Sequence, residues 1–185
     1  MIDALDFPHH SQFMISIEPI SRSHLPFVQR HASDPIISAA SLVPYPYPDD
    51  GAARWYDVIH SKIEAGLAKV FAIKSNDDFC GVVSINQIDQ QTGSGSVDYW
   101  VAVPFHGVGV GSGAVNLVLR HAHKHIGLSK FNSACLLRNM ASVRVLEKNG
   151  FKQRAQMILR DGRFKGETFC RFERPVADAL TMTAL

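Results

Sequence analysis

The distribution of apolar and polar positions predicts seven β-strands along this chain of 185 residues. Apolar residues at every second position are typical of strands with one buried face, and short apolar runs are typical of fully buried strands. The segments with these patterns are residues 13–20, 69–75, 79–88, 96–103, 130–137, 151–159 and 167–174. Asn76-Asp77-Asp78 separates the second segment from the third, so we predict a β-hairpin there.

Apolar residues three and four positions apart predict helices between these strands. The helices cover residues 23–32, 50–65 and 139–149, and a further helix runs through Ile126. Asp49 or Asp50 is expected to cap the second helix, whose apolar stripe is Trp55, Val58, Ile59 and Ile63. Gly150 is expected to end the last helix. Three closely spaced prolines predict a loop over residues 42–50.

The order of these elements predicts an α+β fold, a largely antiparallel sheet interrupted by helices. The predicted elements follow one another over residues 13–174 without a repeat or a linker. We therefore expect a single domain over residues 13–174, with residues 1–12 and 175–185 as terminal extensions.

The composition is typical of a soluble protein that binds neither membrane nor nucleic acid. Charged residues make up 19% of the chain, the net charge is +2, and no basic run is present. No apolar stretch approaches the ~20 residues of a membrane span. The start, MIDALDFPHH, is acidic where a signal peptide needs basic residues and an apolar run. We expect a cytoplasmic monomer or homodimer.

The cysteines and histidines do not form an evident metal site. Cys80, Cys135 and Cys170 lie far apart and contain no CxxC pair, so buried thiols are expected. His121 and His125 lie one helical turn apart, but the helix offers no third ligand. We predict no bound metal.

FHGVGVGSGAV, residues 105–115, has glycine at every second position from Gly107 to Gly113, directly before a predicted helix. Free N–H groups at a helix N-terminus favour anions, commonly phosphate. A P-loop is excluded because residues 104–123 contain no lysine. Gly109-x-Gly111-x-x-Ala114 matches the dinucleotide fingerprint, but no acidic residue lies between Ala114 and Leu146 to bind a ribose. A dinucleotide-binding fold is therefore disfavoured.

A third kind of phosphate loop fits these residues. His106-x-x-Gly109-x-Gly111 resembles the [QR]xxGx[GA] pyrophosphate loop of the GNAT N-acyltransferase superfamily. NMASVRVLEKNGF, residues 139–151, resembles the N-x-x-S-x-x-x-L-E-K-x-G-F signature of the same superfamily. The element order is similar to that of its RimJ/RimL branch, and the resemblance covers residues 13–174. His106 departs from the usual glutamine or arginine.

The resemblance implies a GNAT fold with the sheet splayed at the acetyl-CoA site. It also implies an acetyl-CoA-dependent N-acetyltransferase that transfers the acetyl group directly to a primary amine. The implied acceptor is a protein N-terminus, of a ribosomal or another protein, or a small amine. A non-catalytic acyl-CoA-binding module or sensor is the alternative.

The resemblance also assigns the acetyl-CoA contacts. The pyrophosphate would accept hydrogen bonds from the backbone N–H groups of Val108, Gly109, Val110, Gly111, Ser112 and Gly113. The pantetheine would pair with the backbone edge of Val101, Ala102 and Val103. Asn139 would hydrogen-bond the pantetheine, although it is equally suited to cap the helix that it precedes.

The catalytic assignments follow the same resemblance. Leu146 stands where many relatives carry a tyrosine that protonates the leaving thiolate, so Ser142 is the candidate donor to the sulfur. Asp161, ten residues beyond Phe151, matches a proposed base of RimL-like enzymes, and Asp98 is the rival. A chain of water molecules is a third route for the proton. Tyr45 and Tyr47 are candidates for the acceptor entrance, or simply pack on the surface.

Overall fold

The computed structural model describes residues 14–174. Phe13 and the two predicted extensions, residues 1–12 and 175–185, lie outside the described residues. The strands are β1 (Ile15–Pro19), β2 (Lys69–Ser75), β3 (Asp78–Asp89), β4 (Ser94–Val101), β5 (Lys130–Leu136), β6 (Lys152–Ile158) and β7 (Thr168–Arg174). The helices are α1 (Leu25–Ala32), α2 (Pro35–Ala40), α3 (Gly51–Glu64), α4 (Val110–His121) and α5 (Met140–Lys148).

The strands form one seven-stranded sheet in the order β1-β2-β3-β4-β5-β7-β6. Neighbouring strands are antiparallel except for β4 and β5, which α4 connects as a parallel pair. A parallel connection needs such a crossover because the chain must return to the same end of the sheet. The predicted α+β fold with a largely antiparallel sheet is confirmed.

The pairing between β4 and β5 is short. It extends from Ser94 opposite Lys130 to Ser96 opposite Asn132. Ser133 Oγ donates a hydrogen bond to the Val97 carbonyl oxygen at 2.8 Å just beyond these pairs. The rest of β4 has no strand partner on this side within residues 14–174, so the sheet is splayed as the resemblance implied.

The sheet separates two apolar cores. α4 and α5 cover one face, where Ile85, Leu146 and Phe172 are completely buried. α1 and α3 pack against β2 and β3 on the other face, around Val28 and Phe79. Burial of such side chains is the main source of folding free energy, at about 1.5–3 kcal/mol each. Strand β4 contributes to both cores, because alternate side chains point to opposite faces.

Two helical predictions need correction. α2 was not predicted, because Asp34-Pro35 was interpreted only as the end of the preceding helix. Asp34 is in fact its N-cap and accepts a hydrogen bond from the Ile36 N–H at 2.9 Å, with Pro35 at the first helical position. In α3, the predicted stripe included Val58, but this side chain is exposed. Tyr56, which the prediction left out, is buried instead. Asp50 caps α3 by position but makes no side-chain capping bond.

The three cysteines behave as predicted, since all are free and buried. Burial raises the pKa of the Cys80 thiol to about 11, so this thiol is protonated at neutral pH. Among residues 14–174, no helix has the length and apolarity required to cross a membrane.

Candidate active site

The glycine-rich segment forms the N-terminus of α4. Gly107 and Gly109 have positive φ angles of 78° and 90°, which glycine adopts without steric cost. Gly109 is the N-cap, and the helix begins at Val110. Gly111 and Gly113 therefore lie in the first helical turn, not in a loop as predicted.

The first turn of α4 presents unpaired backbone donors. In the described part of the chain, the N–H groups of Val110, Gly111 and Ser112 meet no acceptor. Gly113 differs, because its N–H donates to the Gly109 carbonyl oxygen at 3.0 Å and closes the turn. The expected bond from the Gly113 N–H to a phosphate stays a prediction, and it would compete with this contact inside the helix. The three free donors at the positive end of the helix dipole favour an anion.

Gly111 lies at the floor of a cleft between β4 and α5. A Cβ atom on Gly111 would lie 3.4 Å from Val101 Cγ2 and 3.5 Å from Val145 Cγ2. The same atom would lie 3.8 Å from the Tyr99 ring. The side chains of both elements thus lie around this glycine, beside the free N–H groups, and an added methyl group would meet them at van der Waals distance.

β4 exposes one backbone edge on the side of β5. The Ala102 N–H donates to the Cys80 carbonyl oxygen at 2.7 Å, so the even-numbered residues here bond to β3. Tyr99 and Val101 therefore direct their backbone groups toward the opening. The Ala102 carbonyl accepts the Phe105 N–H at 2.9 Å, so both backbone groups of Ala102 are occupied. Its predicted pairing with pantetheine stays a prediction, and it would need one of these bonds to be exchanged.

The chain turns directly after β4. The strand ends at Val101, and Val103 begins a 3₁₀ turn. The observed strand, Ser94–Val101, therefore begins and ends two residues before the predicted one, residues 96–103. His106 Nε2–H donates to the Val101 carbonyl oxygen at 2.7 Å. The histidine that departs from the family motif thus holds the end of β4 against the glycine segment, and only the Val101 N–H stays available.

Asn139 caps α5. Its Oδ1 accepts the Ser142 N–H at 3.1 Å, and its Nδ2 donates to the Ala40 carbonyl oxygen at 3.3 Å. The capping role expected from the sequence is therefore confirmed. Because both ends of the amide are engaged within the protein, a bond to pantetheine would need one of these contacts to be exchanged.

Ser142 is half-buried one turn into α5, next to a tyrosine that sequence reasoning missed. The Ser142 Oγ lies 2.9 Å from the Tyr99 phenol oxygen, 43 residues earlier in the chain. Burial raises the pKa of Tyr99 far above its ordinary value, so the phenol keeps its proton. The available signal was alternation along β4, which places Tyr99 on the same face as Val97 and Val101.

Cys135 on β5 lies beside this pair. Burial raises the pKa of its thiol, and the neighbouring Ser142 opposes part of that shift. The thiol is therefore protonated at neutral pH. Ser142 is thus bordered by Tyr99 on β4 and Cys135 on β5, at the place where the two strands separate.

The structure does not bring either candidate base into contact with Ser142. Asp98 is exposed on the opposite face of β4 from Tyr99, and its Oδ2 accepts a hydrogen bond from Asn86 Nδ2 at 2.7 Å. Asp161 is exposed in the loop between β6 and β7, and it has no hydrogen-bond partner among residues 14–174.

His121 ends α4, and His125 lies in the π-helical segment that follows it, Ala122–Ile126. The rings of His121 and His125 are 4.8 Å apart, and His121 packs edge-on against Phe71 at the same distance. No group of three or more His, Cys, Asp or Glu residues suited to a metal occurs in the described range.

The profile of the acetyltransferase (GNAT) domain matches residues 15–152, which is most of the chain. The chain belongs to the GNAT acetyltransferase family. This membership confirms the resemblance stated from the sequence, and a GNAT domain accounts for both the splayed sheet and the glycine-rich start of α4.

Two curated relatives have names that refer to the acetylation of ribosomal proteins. The ribosomal-protein-serine acetyltransferase of Escherichia coli (strain K12) is 31% identical over 88 residues, covering 48% of this chain and 49% of the relative. A putative ribosomal N-acetyltransferase, YdaF of Bacillus subtilis (strain 168), is 28% identical over 100 residues, covering 54% and 50%. The matches therefore span about half the length of these relatives.

Solved GNAT structures share the fold at low sequence identity. RimL, the ribosomal L7/L12 alpha-N-protein acetyltransferase in complex with coenzyme A, superposes with a TM-score of 0.80 at 18% identity, covering 90% of this chain and 96% of RimL. The spermidine N-acetyltransferase of Vibrio cholerae, in complex with CoA and spermine, gives a TM-score of 0.75 at 17% identity, covering 86% and 94%. The RimJ/RimL-like element order is thus confirmed.

Proposed function

We propose that this GNAT protein is an acetyl-CoA-dependent N-acetyltransferase that acetylates the α-amine of a protein N-terminus by direct transfer. The observation that carries the proposal is the cleft between β4 and α5. It combines free N–H groups at the start of α4, an open strand edge, and a serine–tyrosine pair between them. The family membership and the names of the relatives agree with this assignment.

The cleft suits acetyl-CoA chemically. The N–H groups of Val110, Gly111 and Ser112 would bind the pyrophosphate, together with the preceding turn at Val108 and Gly109. The amide-rich pantetheine would pair with the open edge of β4 as an added strand, through Tyr99 and the Val101 N–H. Gly111 supports this fit, because a larger side chain would fill the space that the pyrophosphate needs.

Ser142 and Tyr99 would stabilise the leaving thiolate. As the amine attacks the thioester carbonyl, the new C–N bond forms and the C–S bond breaks, leaving negative charge on sulfur. Either hydroxyl can be the donor of their 2.9 Å hydrogen bond; with Tyr99 as the donor, the serine proton is left to point toward the sulfur. A donor aimed at charge that develops only during the reaction lowers the barrier selectively. Tyr99 thereby supplies a polar function on β4 that Leu146 lacks on α5.

Asp98 is the stronger candidate for the base that removes the amine proton. It is fixed on a strand and held by Asn86, and it lies on the face of β4 opposite α4 and α5. An acceptor must approach from this second face, because acetyl-CoA occupies the first. Asp161, on a loop, is the second candidate, and water is the third.

Two observations support a peptide N-terminus as the acceptor: the names of the relatives and the positive charge beside α2. A polyamine carries several positive charges and needs several carboxylates around it. The rim beside α2 instead carries Arg138 and Arg163, both of which contact α2 (below). A peptide N-terminus carries a single amine and presents backbone groups to such a rim. The expected cytoplasmic location, the absence of a nucleic-acid partner and the monomeric or homodimeric state stay predictions.

The test combines binding and turnover. Acetyl-CoA should raise the melting temperature, since a ligand at 100 times its Kd stabilises by about 2.7 kcal/mol, whereas NAD and ATP at equal concentration should not. Release of free thiol should occur with a hexapeptide that begins with serine and be slower with spermidine. Binding without turnover of any amine would favour the sensor alternative, and the absence of binding would contradict the proposal.

A further inference from the structure

The C-terminus of α2 is capped by side chains from distant parts of the chain. A six-residue helix leaves its last four carbonyl groups without partners inside the helix. Ser41 Oγ–H donates to the first of them, the Ile37 carbonyl oxygen, at 2.6 Å. The other three, on Ser38, Ala39 and Ala40, accept hydrogen bonds from residues about a hundred positions later.

Two arginines and an asparagine supply these donors. Arg163 donates to the Ser38 carbonyl oxygen at 2.7 Å. Arg138 donates to the Ala39 carbonyl oxygen at 2.7 Å. Asn139 Nδ2 donates to the Ala40 carbonyl oxygen. Cations at a helix C-terminus also interact favourably with its dipole.

Arg163 extends this contact into the proline-rich loop. Its guanidinium also donates to the carbonyl oxygens of Ser41 and of Val43, the latter at 3.0 Å. The planar group suits several acceptors at once, which a lysine ammonium on its flexible stem does less well. One side chain of the β6–β7 loop therefore holds both α2 and the residues that follow it.

Phe164 and Glu167 allow the two arginines to lie close together. The Phe164 ring lies 4.6 Å from the Arg163 guanidinium carbon and 5.7 Å from that of Arg138. Glu167 forms an ion pair with Arg138 and offsets part of the charge. The arginines are thereby oriented toward α2, not toward solvent alone.

The same residues adjoin the catalytic helix. Asn139 caps α5 through the Ser142 N–H while it donates to Ala40, so α2 and the candidate thiolate donor share one side chain. α2 packs against α1, on the face of the sheet opposite α4. The α2 segment is thus joined to Ser142 through one side chain, that of Asn139.

We propose that Arg163 and Arg138 are positioning residues that fix residues 35–48, the acceptor wall, relative to Ser142. This role rests on the proposed acetyltransferase function. Within residues 14–174, the hydrogen bonds of both arginine side chains go to residues 38–43 and Glu167 and none to α4 or β4, so they are proposed to set how the acceptor is held. Displacing a wall by about 1 Å is enough to cost up to about 100-fold in rate.

Arg163→Ala and Arg163→Lys test this role, with Arg160→Ala as the matched control. Arg160 belongs to the same exposed loop and has no hydrogen-bond partner among the described residues, so its removal takes away the same charge without freeing α2. For the serine hexapeptide, we expect kcat/KM to fall about tenfold or more in the Arg163 variants, mainly through KM. The acetyl-CoA Kd should stay within about twofold of the parent in all three proteins.

Hydrogen exchange gives a readout that needs no acceptor. Residues 35–48 should exchange faster in both Arg163 variants, while residues 110–121 keep the parental rate. An unchanged KM for the peptide would overturn the proposal even if exchange rose. If the parent binds acetyl-CoA but acetylates neither hexapeptide nor spermidine, the proposed acceptor is wrong. The positioning role is tested separately: hydrogen exchange of residues 35–48 at the parental rate in the Arg163 variants would overturn it. Arg163→Lys keeps this test available if the alanine variant does not fold.

Discussion

At the residue scale, the contact between Ser142 and Tyr99 makes a specific kinetic prediction. Ser142→Ala and Tyr99→Phe should each lower kcat about 10- to 100-fold, the effect of losing a hydrogen bond to a charged group. The double variant should be no slower than the slower single variant, because Tyr99 acts only through Ser142. The measurement is kcat for all four proteins, with acetyl-CoA affinity by calorimetry expected to stay constant.

Additive losses in this cycle would show that the two hydroxyls act independently. A kcat equal to that of the parent in Ser142→Ala would show that Ser142 has no role in catalysis.

Sequence reasoning identified Ser142 because its signature is local, within NMASVRVLEKNGF. It missed Tyr99 because the partner lies 43 residues away, and alternation along β4 tells which face a side chain occupies but not what it meets there. The same limit applies to Arg163, whose bonds to α2 span more than 120 residues. Contacts between elements depend on tertiary packing, which periodicity does not report.

At the scale of elements, the junction of α4, β4 and α5 predicts the behaviour of Gly111 variants. Gly111→Asp should abolish CoA binding while the helical signal in circular dichroism stays. The carboxylate would enter the cleft, where each contact with a phosphate charge at about 4 Å costs about 4 kcal/mol at an effective dielectric of about 20. That energy is about three powers of ten in affinity.

Folding should tolerate this change for two reasons. The added Cβ meets Val101 and Val145 at ordinary van der Waals distances, and an acid is favourable in the first turn of a helix. Gly111→Ala is the control and should bind CoA within a few-fold of the parent. A folded aspartate variant with parental CoA affinity by calorimetry would show that this turn does not hold the pyrophosphate.

The elements were predictable where the pattern was long. The β2–β3 hairpin and α5, with its Asn139 cap and Gly150 stop, were predicted nearly to the residue because capping and turn chemistry mark their ends. α2 was missed because six residues contain less than two helical turns of pattern. The Asp34-Pro35 signal both ends one helix and begins the next.

At the scale of the whole molecule, the proposed assignments would give the two substrates separate faces of the sheet. α4 and α5 cover the face where acetyl-CoA is proposed to bind, and the proposed acceptor wall adjoins the other. Asp98 belongs to the acceptor face because it alternates with Tyr99 along β4. The fold therefore places Tyr99, the partner of Ser142, and Asp98, a candidate base, on opposite faces of one strand.

This arrangement predicts that Asp98→Asn lowers kcat/KM for the amine about 100-fold or more at neutral pH, the usual contribution of a general base. The loss should shrink as the pH rises from 7 to 9, because an α-amine with a pKa of about 7.7–8.0 then loses its proton in solution. The measurement is the pH–rate profile of the parent, Asp98→Asn and Asp161→Asn with the serine hexapeptide. Asp161→Asn should follow the parent, because its carboxylate is on a loop and not on the strand beside the opening. A loss in Asp161→Asn with a parental profile in Asp98→Asn would identify Asp161, in the β6–β7 loop, as the base. Parental profiles in both variants would indicate that water accepts the proton.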